Sequence, residues 1–262
     1  MRIILRTFLL AAFPALVAAQ VASQGAYAGA GNMQAEAEEI RALANEARTQ
    51  AGLGRLDWDP ALAAAALAHC RRMAAEGPIA HQYSGEADLT TRTAEAGAHF
   101  SLIEENVAVG PSADAIHEAW MHSPGHRANL MSPDVDRVGV AVVAARGILY
   151  AVADYSRGVE LLSAAQVEAQ VAALVRVSGV AILSDPSVAR AACATDEGMP
   201  RVEGREMPRF VMRWQAGDLT QLPQALVGKL ASGDYRQAAV GSCPAQGVQG
   251  SFTAYRVAVI LY

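Results

Sequence analysis

Trp120-Met121-His122-Ser123-Pro124-Gly125-His126-Arg127-Ala128-Asn129-Leu130 decides how this chain is read. Pro124 lacks an amide proton and Gly125 is a poor helix former, so together they end the helix that carries Trp120. A histidine follows at once, at the mouth of a loop and beside the start of another short helix. An imidazole in that position is not core filler. It titrates near neutral pH or ligates a metal.

Four further segments fall around this one in a fixed order. They are Ala80-His81-Gln82, Glu104-Glu105-Asn106-Val107-Ala108, Arg137-Val138-Gly139-Val140-Ala141 and Tyr150-Ala151-Val152-Ala153-Asp154-Tyr155. In this order and spacing the set resembles the bacterial branch of the CAP superfamily, named for cysteine-rich secretory proteins, antigen 5 and pathogenesis-related 1 proteins. The resemblance runs over residues 36–157. It implies a three-layer α-β-α sandwich with the sheet in the middle, and a cleft lined by two histidines and acidic residues. By position the histidines are His81 and His126, and the glutamate of the family's Gly-Glu-Asn motif is Glu105. Glu104 stands in the place of that glycine. The second glutamate of many eukaryotic members lies three residues after a tryptophan, which here is Ser123.

What remains is a set of two histidines and one glutamate. His81 and His126 are 45 residues apart, so only the fold can bring them together. Two imidazoles suit Zn²⁺ as candidate ligands, and Glu105 is the candidate catalytic base, or the group that orients an imidazole. Catalytic zinc usually has three protein ligands, so the expected metal binding is weak and exchangeable. Without the ordered pattern, His81 reads as a loop histidine bonded to a carbonyl and Glu105 as a helix N-terminal acid. With it, a shared cleft is preferred. His117-Glu118 does not make a helical zinc motif, because the next histidine, His122, stands at i+5, roughly 140° round the helix. There is no Gly-x-Ser-x-Gly elbow, P-loop or dinucleotide fingerprint. The leading reading is a protein that binds a small apolar ligand, a peptide or a cell-envelope component. Its rivals are a metal-assisted hydrolase of peptide or cell-wall substrates, and an envelope interaction protein working through its C-terminal half.

Composition sets the frame for these readings. The chain has 262 residues, 52 % of them hydrophobic, which suffices for one large or two small domains. Its net charge of −5 opposes nucleic-acid binding, which rests on neutralising phosphates. Residues 1–19 read as a secretory signal: Arg2 and Arg6 precede an apolar run, and Val17-Ala18-Ala19 fits a cleavage site. That places the protein in the periplasm or outside the cell, with no transmembrane segment after cleavage. Residues 20–35 read as a flexible leader. Of the three cysteines, Cys193 and Cys243 share the C-terminal half and are paired, while Cys70 falls on a buried helix face.

The periodicity predicts helices over 36–50 and from Asp59-Pro60 to 76, the latter burying Leu62, Ala66, Cys70 and Met73. It predicts a short helix over 88–96, a loop-like element beginning at Glu105, and a helix capped by Ser112. Two strands over 138–145 and 148–155 flank the Arg146-Gly147 turn. A CAP domain over 36–158 is thus followed by a smaller α+β domain of unknown role over 159–262. The latter has helices over 163–175, 188–193 and 222–230 and strands over 210–215, 235–242 and 251–262. The sequence shows no internal repeat.

Overall fold

Alanine-rich sequence and N-cap residues set the helices of the first half. The computed structural model describes residues 15–200, 207–246 and 252–262, with side chains from Met33 onward. Helix α1 (Ala15–Gln50) starts well before residue 36. The stretch read as a flexible leader is continuous with it, because alanine, the strongest helix former, recurs at 22, 26, 28, 30 and 35. Of the segment read as a signal, residues 1–14 lie outside the described residues. After β1 (Asp57–Trp58), Asp59 accepts from the Ala61 and Leu62 amides and opens α2 (Pro60–Glu76). Asp88 caps α3 (Leu89–Glu95) in the same way.

The long strand β2 (Phe100–Gly110) follows, then α4 (Ala113–His122), α5 (Pro124–Leu130), β3 (Arg137–Ala145) and β4 (Ile148–Gly158). Glu105 therefore lies in mid-strand, not at the start of a loop. The polar run Glu104-Glu105-Asn106 hides a strand because Glu105 and Asn106 are buried and bonded there. Arg146 and Gly147 both take positive φ, at 54° and 76°, the mirror-image turn that matches hairpin twist. The sheet order is β1-β3-β4-β2, with β1 parallel to β3 and the other pairs antiparallel. α2 and α3 cover one face; α1, α4 and α5 cover the other. The three-layer α-β-α sandwich is present as expected. α2 lies so close that a Cβ on Gly139 would stand 2.1 Å from the Ala63 amide nitrogen.

The second half repeats this plan. Its elements are α6 (Ala164–Arg176), β5 (Ala181–Ile182), α7 (Ser187–Cys193), β6 (Phe210–Ala216), α8 (Gln224–Ala231), β7 (Gln237–Cys243) and β8 (Tyr255–Leu261). Sheet order is β5-β7-β8-β6, again with the two-residue strand parallel to its neighbour and the rest antiparallel. α7 packs on one face, and α6 and α8 on the other. The reading of no internal repeat is thus corrected at the level of topology. Layer order survives in patterns of apolar residues, and these need no matching identities.

The halves meet where the Thr253 amide donates to Phe100 O at 2.8 Å and Phe252 packs edge-on to Phe100. Cys193 and Cys243 are joined, fastening α7 to β7 across a separation of 50 residues. Replacing both with serine should lower the stability of this half by about 2–4 kcal/mol in urea unfolding, because the unfolded chain gains freedom. An unchanged midpoint would show that the bond constrains nothing.

Candidate functional site

The site sits at the β2 edge of the first sheet, where α3, α5 and the loop after α2 converge. Glu105 projects from β2 on the α2 face and is only 5 % exposed. Its Oε1 lies 2.7 Å from His81 Nδ1, and its Oε2 accepts from the Arg92 guanidinium. Arg92, on α3, also donates to His81 O at 3.2 Å. His69, fully buried on α2, fixes the loop that carries His81: its ring nitrogens lie 2.8 Å from Glu86 Oε1 and 2.9 Å from Ala80 O. From the opposite face, Asn106 donates to His126 O at 2.9 Å, and Asn129 donates to Glu105 O at 3.1 Å. His126 itself stands in the first turn of α5 rather than in a loop.

Electrostatics separate the two histidines. The Glu105 hydrogen bond holds the His81 imidazolium, raising its pKa above the usual value although its side chain is 62 % exposed. Burial, and then the charge of His81, push His126 down. Asp154 faces Glu105 across the β2–β4 register and is fully buried. Burial, followed by the Glu105 charge, pushes the Asp154 carboxyl well above the usual carboxylate range. His81 and Arg92 stabilise the charge on Glu105, whereas the group facing Asp154 is Glu105 itself, whose charge and hydrogen bond favour the protonated form of Asp154 over its carboxylate.

Glu105 is not free to complete a zinc centre with the two histidines. Both Glu105 oxygens are engaged, one of them by a cation that the chain itself supplies. Among the described residues no group of three or more His, Cys, Asp or Glu is arranged to hold a metal ion. His117 is buried, with its pKa lowered by burial, while His122 on the same helix is exposed. Cys70 donates to Tyr150 O, and burial pushes its thiol to about 12, which makes it a packing residue.

Sequence reasoning brought forward His81, Glu105 and His126; the structure bonds His81 to Glu105 and holds the His126 carbonyl through Asn106, the next residue of β2. It missed Arg92, Asp154 and His69. Asp154 carried a signal, being the one acid inside the apolar run from Tyr150 to Tyr155. His69 carried another, lying on the face of Leu62, Ala66 and Met73. Arg92 carried none. Among the described residues the second half holds no counterpart. Gly139 pairs with Asp154, which pairs with Glu105; Gly241 pairs with Ala258, which pairs with Arg213. Aligned on the two glycines, arginine and alanine replace the two carboxyls.

Residues 41–155 match the model of the cysteine-rich secretory protein family, CAP. The chain is 32 % identical over 109 residues to the uncharacterized membrane protein YlbC of Bacillus subtilis, covering 40 % of this chain and 31 % of that one. It is 27 % identical over 113 residues to the uncharacterized protein YkwD of the same organism, covering 43 % and 44 %. The chain therefore spans less than half the length of these curated relatives. A crystal structure of an extracellular protein containing a SCP domain from Bacillus anthracis matches at 25 % identity and a TM-score of 0.45, over 48 % of this chain and 41 % of that one.

Proposed function

Residues 41–155 form a CAP domain, and from that premise we propose a binding protein that works outside the cytoplasm. Its cleft of His81, Glu105 and His126 takes an anionic group of a peptide or cell-envelope component. The observation that carries this reading is the double engagement of Glu105, by His81 and by Arg92. A carboxylate held on both oxygens positions its neighbours; it is not free to take a proton from water. Its effect falls on His81. With Nδ1 turned to Glu105, the protonated ring presents its Nε2–H to solvent. His126, whose protonation burial disfavours, is anchored to the same strand by the Asn106 bond to its carbonyl. An exposed cationic donor suits a carboxylate or phosphate through a charge-assisted hydrogen bond. The location is supported by the basic, then apolar start of the sequence and by the family's secretory character. No helix among the described residues is long and apolar enough to cross a membrane.

The test is a pH titration of the imidazole nitrogens by NMR. His81 should titrate above the ordinary value of about 6.5, and His126 below it. Glu105→Gln should bring His81 down, and His81→Ala should bring His126 up. Acetyl-glutamate should shift His81 Nε2 below the His81 midpoint and not above it. The sign for stability follows from the raised value: the His81–Glu105 contribution is complete below the unfolded-state pKa and is lost as pH rises through the folded one. A His81 that titrates at or below the ordinary value removes the cationic donor and overturns the reading.

A further inference from the structure

The two edges of the first sheet are finished differently. At the β2 edge, helices cover the outward main chain: Trp120 Nε1 donates to Val107 O at 3.2 Å, and Asn129 donates to Glu105 O at 3.1 Å. At the β3 edge, β1 pairs only with Arg137 and Val138. The Asp57 and Asp59 amides donate to Asp136 O and Val138 O, so the even-numbered residues turn their main chain outward there. Continued along the strand, that alternation turns out the N–H and C=O of Val140, Val142 and Ala144. No strand among the described residues pairs with them. An open edge of this kind is a template for another strand.

A cavity of about 920 Å³ runs along this stretch, and its wall includes every residue from 140 to 144. Successive strand residues point to opposite faces, so a cavity touching five in a row lies against the edge of the strand and not on a face. Met33 and Ala37 of α1 flank it on one side, Ala63 and Leu67 of α2 on the other, and Trp58 stands at its β1 end. Arg71 is the one charged residue of this wall among the described residues. It lies toward Val143: its neighbour Cys70 donates to Tyr150 O, and Tyr150 is the strand partner of Val143.

We propose that this edge binds an extended apolar peptide segment as an added strand parallel to β3, with an acidic group at its far end against Arg71. An acyl chain would fill the apolar walls but leave the main chain at Val140, Val142 and Ala144 unpaired. A peptide strand satisfies both the walls and the edge, and the charge of Arg71 selects an acidic end. The surface lies at the opposite edge of the sheet from His81 and Glu105, so it stands or falls independently of the cleft.

The test uses an acetylated pentapeptide of valine and threonine ending in glutamate, added at millimolar concentration to the full chain. Amide exchange at Val140, Val142 and Ala144, fast in the free protein, should slow on its addition. The same peptide N-methylated at alternate residues should bind at least about tenfold more weakly, since it cannot complete the ladder. Arg71→Ala should abolish the preference for the free acid over its amide. Four results would each overturn the proposal: no protection by the peptide, equal binding of the N-methylated form, displacement of the peptide by palmitate, or protection already present in the free chain. The last, if it grows with protein concentration, identifies a second copy as the occupant.

Discussion

Arg92→Met should destabilise the CAP domain by about 3–5 kcal/mol at neutral pH, the range for stranding one partner of a buried ion pair. The guanidinium is 8 % exposed, Glu105 is 5 % exposed, and Asp154 behind them is fully buried. Removing the arginine leaves the Glu105 carboxylate with the exposed His81 imidazole and the more distant His69 ring, 3.9 Å away, beside a carboxyl whose ionisation burial disfavours. The bond to His81 O is lost as well, so the loop bearing His81 loosens. The control is Glu105→Gln. In that background no carboxylate is stranded, and Arg92→Met should cost much less. A double-mutant cycle from urea unfolding at pH 7 measures this coupling. If the two substitutions simply add, Arg92 is not the counter-ion of Glu105, and the description of the cleft as a positioned carboxylate fails with it.

The same residues explain how much of the molecule could be read in advance. Local chemistry was legible: Asp59, Asp88, Ser112 and Ser163 are short oxygen-bearing side chains ahead of apolar periodicity, and each caps its helix. Arg146-Gly147 between two alternating runs is likewise a local signal. Contacts made across the fold were not legible. The strands β1 and β5 are two residues long and exist only because a distant strand pairs with them. Arg92 sits in an unremarkable polar helix, and nothing nearby says that its head group reaches Glu105. The pairing of His81 with Glu105 was expected because an ordered set of segments resembled a family, which carries tertiary information that no single stretch holds. The repeated plan escaped notice for the converse reason. It lies in the order of layers and pairings, while the polar residues that would have advertised it, Glu105 and Asp154, are replaced in the second half by Arg213 and Ala258.

Gly139→Val and Gly241→Val test that repeated plan where its tolerance is smallest. A Cβ at Gly139 would lie 2.1 Å from Ala63 N and 2.3 Å from Leu62 C; one at Gly241 would lie 2.2 Å from Arg190 N and 2.3 Å from Ala189 C. In both cases the obstacle is the backbone of the helix on the same face of the sheet, α2 in the first half and α7 in the second. A helix backbone cannot rotate away as a side chain can. The helix must lift off the sheet, exposing the apolar contacts beneath it. Each substitution should therefore cost more than about 4 kcal/mol, the exceptional range for a single residue. Amide exchange locates the damage: Gly139→Val should deprotect β3 and β4, and Gly241→Val should deprotect β7 and β8. If Gly139→Val also deprotects β7 and β8 to the same degree, the halves unfold as one cooperative body through the Phe100–Phe252 contact. If either variant stays within about 1 kcal/mol of the parent, close helix-on-sheet packing is not what holds that half together, and the structural equivalence of the two glycines loses its meaning.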